Sequence, residues 1–355
     1  MDPRYSRQLV LPGFGAEAQA KLAAARVLVI GAGGLGSAVL PALAGAGVGT
    51  IGVIDDDRVE LSNLHRQTIH REDAVGTPKT QSAAAAITAL NSGTTVHTYP
   101  QRLTAANALE LFAGFDLVVD GSDNFPTRYL ASDAAALSAL PLVWGAVSQY
   151  GGQASVALPG GPGYRDLFPV PPAPGSVESC EVGGVLPTTV GVIGAIMAGE
   201  ALKVLTGVGE PLEGRVTTYD ALSGRFREVE FAASSPPVTE LIDYEAFCGE
   251  PIDRVEPVET RDADDFAGAT LLDVRETWEA EFVSLPGSML VPLRSLPEVI
   301  DSLDHDAEWV VYCHLGVRSQ RAVELMQAHG FANVRHLEGG IDAWARDRDP
   351  SLARY

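Results

Sequence analysis

Apolar residues in this chain come in short runs set between longer stretches of mixed polarity. Val27–Ile30, Ile51–Ile54, Thr95–Tyr99, Asp116–Asp120 and Leu142–Ala146 are each four or five residues long and rich in β-branched side chains. Runs of that length predict buried strands. Between them lie segments with helical patterning: an Ala- and Leu-rich stretch after Gly36, Lys79–Leu90, Thr104–Phe112 with Thr104 as N-cap, and a further helix after Asn124. Strand and helix in strict alternation predict a parallel sheet covered on both faces. The pattern changes at Gly151. Gln153–Leu158 alternates apolar and polar, as an antiparallel strand does, so the sheet is expected to be mixed. Residues 159–176 are rich in Gly and Pro and predict loop. A small-residue helix, Val190–Leu205, and a hairpin, Arg215–Tyr219 with Arg225–Phe231, complete the set.

Residues 232–258 have the Pro, Ser and acidic content of a linker, and a fresh α/β pattern follows. It has strands at Thr270–Val274, Trp309–Tyr312 and Val334–Leu337, a short strand within 286–292, and a helix at Ser319–His329. The expected organisation is a large α/β domain at residues 1–235, a linker at 236–257 and a smaller α/β domain at 258–355.

The first apolar run enters Gly31-Ala32-Gly33-Gly34-Leu35-Gly36, which has the G-x-G-x-x-G spacing, and the second run ends in Asp55. Glycines let the backbone approach a phosphate, and the following helix N-terminus presents free N–H groups to it. An acid about 20 residues past the turn can hold a ribose hydroxyl. The stretch therefore predicts a nucleotide site, without saying which nucleotide.

Composition narrows the partners. With 46% hydrophobic and 20% charged residues, the 355-residue chain can build a core, and its formal net charge is −21. That balance argues against a nucleic-acid or anionic-membrane partner, although it is compatible with a local basic patch. The N-terminal stretch lacks signal-peptide character, and the three cysteines, Cys180, Cys248 and Cys313, are odd in number and far apart. A reducing, cytoplasmic setting is the expectation.

Arg4-Tyr5-Ser6-Arg7-Gln8, the glycine turn, Asp55, Ser62-Asn63-Leu64-His65-Arg66-Gln67, Pro78-Lys79 and Ser122-Asp123-Asn124 occur in order. Together they resemble the ubiquitin-activating-type (E1-like) adenylyltransferases, in the MoeB/ThiF branch that activates small sulfur-carrier proteins. The resemblance covers roughly residues 1–250. It implies a Rossmann-like adenylation domain in which a carrier's C-terminal glycine carboxylate attacks the α-phosphate of ATP. Such chemistry needs positive charge and positioning rather than covalent help. Arg66 and Lys79 would supply charge, and the resemblance implies that Arg7 reaches in from the other subunit of a homodimer. Asn63 would orient a phosphate oxygen, Asp55 would hold the ribose, and Asp123 would bind Mg²⁺ with ATP. Gly34, Ser62, Leu64, His65 and Asn124 would line the nucleotide. Lys79 at a helix start also opposes the helix dipole, which predicts an anionic partner for it.

The same family commonly carries two Cys-x-x-Cys pairs for a structural zinc. Here the corresponding positions are Gly163-Tyr164-Arg165-Asp166 and Glu245-Ala246-Phe247-Cys248. One thiolate cannot make a tetrahedral site. No zinc is expected, and the Pro-rich segment 169–174 is the expected stiffener in its place.

Two cysteines carry candidate chemistry. Cys180 lies between glutamates after the Gly/Pro-rich loop, and the resemblance assigns such a cysteine to a covalent step with the activated carrier. Cys313 ends a strand in Val310-Val311-Tyr312-Cys313-His314-Leu315-Gly316-Val317-Arg318-Ser319. A loop of successive N–H groups, closed by Arg318 and followed by a helix, would stabilise a thiolate or persulfide. With Asp273-Val274-Arg275-Glu276 and Glu338-Gly339-Gly340-Ile341-Asp342, residues 258–350 resemble a rhodanese domain. A cysteine phosphatase is the rival. It spaces Cys and Arg by five residues, whereas four intervene here.

Taken together, these readings predict adenylation of a small ubiquitin-like, Gly-Gly-ended sulfur carrier. Sulfur transfer from a Cys313 persulfide, loaded by a donor such as a cysteine desulfurase, would then give a thiocarboxylate. Alternatives are an NAD-dependent oxidoreductase, an adenylating enzyme acting on tRNA, and a scaffold with inactive sites.

Overall fold

A computed structural model describes residues 2–172, 183–249 and 268–354. The chain divides into two compact units, Met1–Glu250 and Pro251–Tyr355.

In the first unit, helices α1 (Ser6–Leu9) and α2 (Gly15–Ala24) precede β1 (Arg26–Ile30), α3 (Gly34–Ala46), β2 (Thr50–Ile54), α4 (Lys79–Leu90) and β3 (Thr95–Tyr99). Next come α5 (Ala108–Phe112), β4 (Leu117–Asp120), α6 (Phe125–Leu137), β5 (Leu142–Ser148), β6 (Gly151–Ala157) and α7 (Tyr164–Leu167). The unit ends with α8 (Pro187–Thr206), β7 (Arg215–Asp220), β8 (Arg225–Glu230) and α9 (Tyr244–Phe247). The eight strands lie in the order β3-β2-β1-β4-β5-β6-β7-β8. The first five are parallel, and β6, β7 and β8 are added antiparallel. The sheet is mixed, as the change of pattern at Gly151 predicts.

Successive strand residues face opposite sides. Val27, Val29, Ile51 and Val53 pack with residues of α3, α4 and α8, while Leu28, Ile30 and Ile54 pack with α5 and α6. Helix α8 lies along α3, and small residues set their separation. A Cβ on Gly194 would sit 2.6 Å from Ala38 Cβ, and one on Gly34 would sit 2.8 Å from Val190 Cγ1. By length and composition α8 could cross a membrane. Here it packs on α3, β5 and β6.

Three local expectations change. Helix α5 begins at Ala108, not Thr104. The Asn107 side chain accepts from Thr104 N–H and donates to the Arg102 carbonyl, closing a turn where the helix would otherwise extend. The Gly/Pro-rich loop contains α7, which the Asp166 carboxylate starts by accepting from Gly163 N–H at 2.8 Å. Residues 236–249, the first part of the expected linker, carry α9, which packs on α6 with Tyr244 buried.

The second unit has β9 (Thr270–Asp273), α10 (Thr277–Phe282), β10 (Met289–Leu290), α11 (Leu296–Val299), β11 (Trp309–Tyr312), α12 (Val317–Ala328), β12 (Val334–His336) and α13 (Gly340–Asp347). Its four strands are parallel, in the order β10-β9-β11-β12. Val311 and Cys313 face one core cluster and Tyr312 the other.

Candidate functional site

In the first unit, the chain leaves β1 toward β2 on one side and returns through β4 on the other. Ligands of α/β sheets bind at the carboxyl ends of strands at such a switch point. A cleft of about 550 Å³ opens there, lined by the glycine turn, Asp55–Asp57, Arg66, Gln67, Lys79, Arg102, Gly121–Asn124 and Arg128, among others.

Glycine is required at the turn for two reasons. Gly31 has φ +87°, and a Cβ on Gly36 would lie 2.1 Å from the Gly31 carbonyl oxygen. Ala32 is held from both ends. Its N–H donates to Asp55 Oδ2 at 2.7 Å, and its carbonyl lies 2.8 Å from His70 Nε2. Burial raises the Asp55 carboxyl above the usual carboxylate range, against the pull of Lys79 and two backbone N–H groups. Burial likewise lowers the His70 imidazole, and because its Nε2 meets a carbonyl, that nitrogen is the donor.

The expected cations are not equally available. Lys79 is buried at the start of α4, and its Nζ sits 2.7 Å from Asp57 Oδ2. Asp57 is thus the anion that offsets this lysine at a helix N-terminus. Arg66 lines the cleft and donates from Nη1 to the Ser62 carbonyl at 3.1 Å. Asp123 is exposed at the lip, and Asn124 caps α6 by accepting from Thr127 N–H at 2.9 Å. Gly34 opens α3 at the cleft floor.

The remaining predicted residues are not among those lining this cleft. Asn63 is buried, and its carboxamide accepts from Glu60 N–H within the same turn. Ser62 and His65 are exposed, with His65 Nδ1 3.0 Å from the Ser62 carbonyl, and Leu64 is half-buried. Arg7 is exposed on α1. Cys180 lies outside the described residues.

Sequence reasoning passed over Gln67 and Arg128, both buried and both lining the cleft. Asp56 and Asp57 were passed over as well. With Asp55 they bring three carboxylates within 4.8 Å of one another.

The positions where the resemblance places zinc ligands hold a different device. Asp133, 1% exposed on α6, accepts from Arg165 Nε and Nη2 and from the Tyr244 hydroxyl, each at 2.7 Å. The Arg165 guanidinium lies over the rings of Tyr129 and Phe247, 5.2 and 4.7 Å from their centroids. Asp166 Oδ1 takes the N–H groups of Ser234 and Ser235 at 2.7 Å. Burial opposes ionisation of Asp166, but these bonds and that from Gly163 hold its carboxyl below the usual range. Burial, with Glu245 nearby, pushes the Cys248 thiol up to about 11. A side-chain clasp therefore joins α6, α7 and α9 in this region, and the last two residues of the expected Pro-rich segment, 169–174, lie outside the described residues.

In the second unit, Cys313 follows β11 and is 1% exposed. Gly316 N–H donates to its Sγ at 3.1 Å, and the Ser319 hydroxyl lies 3.5 Å from it. Gly316 has φ +96°, which turns that N–H inward. The loop is pinned from behind, because Ile341 and Asp342 at the start of α13 donate to the Cys313 and His314 carbonyls at 2.9 and 3.1 Å. Gly340 permits this approach. A Cβ there would lie 2.4 Å from the Cys313 oxygen and 2.2 Å from that of His314. Arg318 is held in a two-point pair with Glu279 at 2.6 and 2.7 Å. Arg275 is fully buried and paired with Asp273 at 2.6 Å.

Comparison with known proteins places both units. Residues 5–239 match the ThiF family and residues 256–347 match the rhodanese-like domain. The chain is 45% identical over 371 residues to a probable adenylyltransferase/sulfurtransferase MoeZ of Mycobacterium tuberculosis, covering 99% of this chain and 95% of that protein. It is 51% identical over 260 residues to a sulfur carrier protein adenylyltransferase of Thermus thermophilus, covering 69% of this chain and 96% of the relative. Among solved structures, that of E. coli MccB with ATP is similar in fold, with TM-score 0.59 and 23% identity over 66% of this chain and 73% of MccB.

Proposed function

The chain belongs to the ThiF family, with a rhodanese-like domain behind the ThiF domain, and from that premise we propose a two-step reaction for it. It is an enzyme, an adenylyltransferase joined to a sulfurtransferase. In the first step the C-terminal carboxylate of a small Gly-Gly-ended carrier attacks the α-phosphorus of ATP. The α–β phosphoanhydride breaks, and acyl-adenylate and pyrophosphate form. Asp55 holds the ribose, the glycine turn and Gly34 approach the phosphates, and Arg66 and Lys79 offset charge developing on them. Arg7 acts from the second subunit of a homodimer. Asp123 offers the hard oxygen ligand that suits Mg²⁺, which when bound neutralises phosphate charge.

In the second step a persulfide on Cys313, loaded by a donor enzyme such as a cysteine desulfurase, attacks the acyl carbon. AMP leaves, and the carrier is joined to Cys313 through an acyl disulfide. The Cys180 thiolate then attacks the Cys313 sulfur. The carrier departs as a thiocarboxylate, Cys180 and Cys313 are left as a disulfide, and an external thiol reduces them. Tethering both activities on one chain raises the local concentration of sulfur donor at the adenylate.

The chain does not fit a structural zinc. Of the four positions only Cys248 is a thiol, and Asp166 is committed to three backbone N–H groups.

The observation that carries the reading is the pairing, in one chain, of a cleft at the switch point lined by Lys79, Arg66 and Asp123 with a Cys313 loop built to hold a sulfur anion. The test is ATP–pyrophosphate exchange dependent on a Gly-Gly-ended carrier, followed by intact-mass measurement of that carrier. NADH binding without exchange would return the chain to the oxidoreductase reading.

A further inference from the structure

Buried polar atoms in folded proteins nearly always have a partner, so an orphan beside a cleft points to what the cleft holds. Three such side chains line the nucleotide cleft: the Ser122 hydroxyl, Arg128 and Gln67. Arg128, 9% exposed, has an Nε without a partner, and Gln67, 4% exposed, has an Oε1 without one. They come from separate parts of the chain. Gln67 follows the polar turn after β2, and its Nε2 would lie 3.7 Å from a Cβ on Gly33, so its carboxamide sits against the glycine turn. Arg128 stands in the first turn of α6. Its Nη2 donates to the Ser122 carbonyl at 3.2 Å, and its guanidinium lies 5.4 Å from the centroid of the Phe125 ring.

Two of the other cations lining this cleft have a carboxylate partner, and the third is not among the buried residues. Lys79 is paired with Asp57, Arg102 with Glu245 at 2.9 Å, and Arg66 donates to Ser62. Arg128 makes no ion pair among the described residues. The buried Asp120 feels its charge, and the Tyr164 hydroxyl feels its charge and is hydrogen-bonded to its side chain, but a phenol is not a counter-ion and Asp120 accepts at Oδ1 from Ser122 N–H at 3.0 Å. A buried cation without a contacting counter-ion is costly. The fold keeps this one among the residues that line the cleft.

We propose that Arg128 is a binding residue for an oxyanion of the nucleotide, donating from Nε to a phosphoryl oxygen, with the Gln67 carboxamide meeting the same ligand from the glycine-turn side. This rests on the nucleotide reading above and adds to it a cation from α6. Arg128 also ties the loop that carries Asp123, through the Ser122 carbonyl.

The experiment measures binding by calorimetry on the full chain with three probes, ATP, AMP and adenosine, with and without Mg²⁺, for the unaltered protein and for Arg128→Gln and Arg128→Lys. A charge-assisted hydrogen bond predicts that Arg128→Gln weakens ATP and AMP roughly ten- to hundredfold. Adenosine binding stays unchanged, and Arg128→Lys recovers part of the loss. Equal weakening of adenosine would make Arg128 a packing residue and overturn the proposal. So would unchanged ATP and AMP affinity with a raised KM for the carrier, which would assign the anion to the carrier's carboxylate. Should Arg128→Gln not fold, Gln67→Glu sets a negative charge against the same ligand and is expected to abolish ATP binding while sparing adenosine. Retained ATP binding there would also overturn the proposal. If the unaltered chain binds no ATP, the nucleotide reading fails instead.

Discussion

The Asp133–Arg165–Tyr244 clasp supports a quantitative prediction about what holds the first unit together. Replacing Arg165 with methionine leaves the Asp133 carboxylate buried with one donor, Tyr244, out of three. Breaking one side of a buried pair costs about 3–5 kcal/mol. Loss of the guanidinium over Tyr129 and Phe247 adds roughly 0.5–2 kcal/mol. For a unit of this size each kcal/mol moves Tm by about 2–4 °C, so Arg165→Met should lower the first unit's Tm by roughly 7–28 °C. Tyr244→Phe removes one bond to a charged acceptor and should cost about 1.5–3 kcal/mol. Differential scanning calorimetry is the assay, because a two-unit chain need not unfold in one step and the two transitions must be separated. Arg165→Met combined with Asp133→Asn should destabilise by less than the sum of the single changes, the signature of a direct pair. Prolonged treatment with a strong chelator should leave the first transition unmoved. The reasoning fails if chelation lowers that transition while Arg165→Met shifts it by less than about 2 °C.

Four further outcomes follow from the same geometry. Cys313→Ala should abolish sulfur transfer from thiosulfate to cyanide while leaving ATP–pyrophosphate exchange intact, and loss of both would mean the two sites are not separable. Gly340→Ala forces a Cβ against the Cys313 and His314 carbonyls at φ +62°. The left-handed backbone alone costs about 1–3 kcal/mol, so the second unit's Tm should fall by about 4 °C or more, with exchange unchanged. Asp55→Asn removes a charge that burial penalises. It should therefore cut exchange at least tenfold without lowering Tm, as expected where a site is held at the expense of stability, and a fall in Tm with exchange kept would contradict that. His70 is buried with its folded pKa below the unfolded value of about 6.5. Below that pH the unfolded chain takes up a proton that the folded one refuses, so stability is full above pH 6.5 and falls as pH drops. Tm of the first unit should decline from pH 7 to 5, and His70→Gln should flatten that slope.

Strand and helix were legible wherever burial and periodicity agree. β3, α4 and β11 begin and end at the residues the pattern predicts; α4 and β11 carry buried core residues, while β3, an edge strand with no buried residue, is held by its pairing with β2. Elements set by a single side chain were not. The start of α5 depends on how the Asn107 carboxamide closes a turn, and α7 depends on Asp166 reaching Gly163, neither of which periodicity records. At the cleft, the glycine turn and Asp55 were readable from type and spacing, and Lys79, Arg66 and Asp123 from the family resemblance; all of them line it. That Lys79 already has Asp57 as its anion was not readable, since the two stand 22 residues apart in the chain. Arg128 escaped notice because an arginine in an α6 helix pattern reads as a solvated residue. Only its burial without a counter-ion marks it out. Around Cys313 the motif residues were legible, but the partner of Arg318, Glu279, lies 39 residues away and is found only in the fold.

The central claim is that one chain both adenylates a carrier and delivers sulfur to it. The most direct measurement is the intact mass of a Gly-Gly-ended carrier after incubation with the full chain, ATP, Mg²⁺ and a persulfide donor. A carrier that exchanges one oxygen for one sulfur, and does so with neither Lys79→Ala nor Cys313→Ala, is the predicted result. A carrier that gains sulfur without ATP, or one that is adenylated and never thiolated by the intact chain, would contradict it.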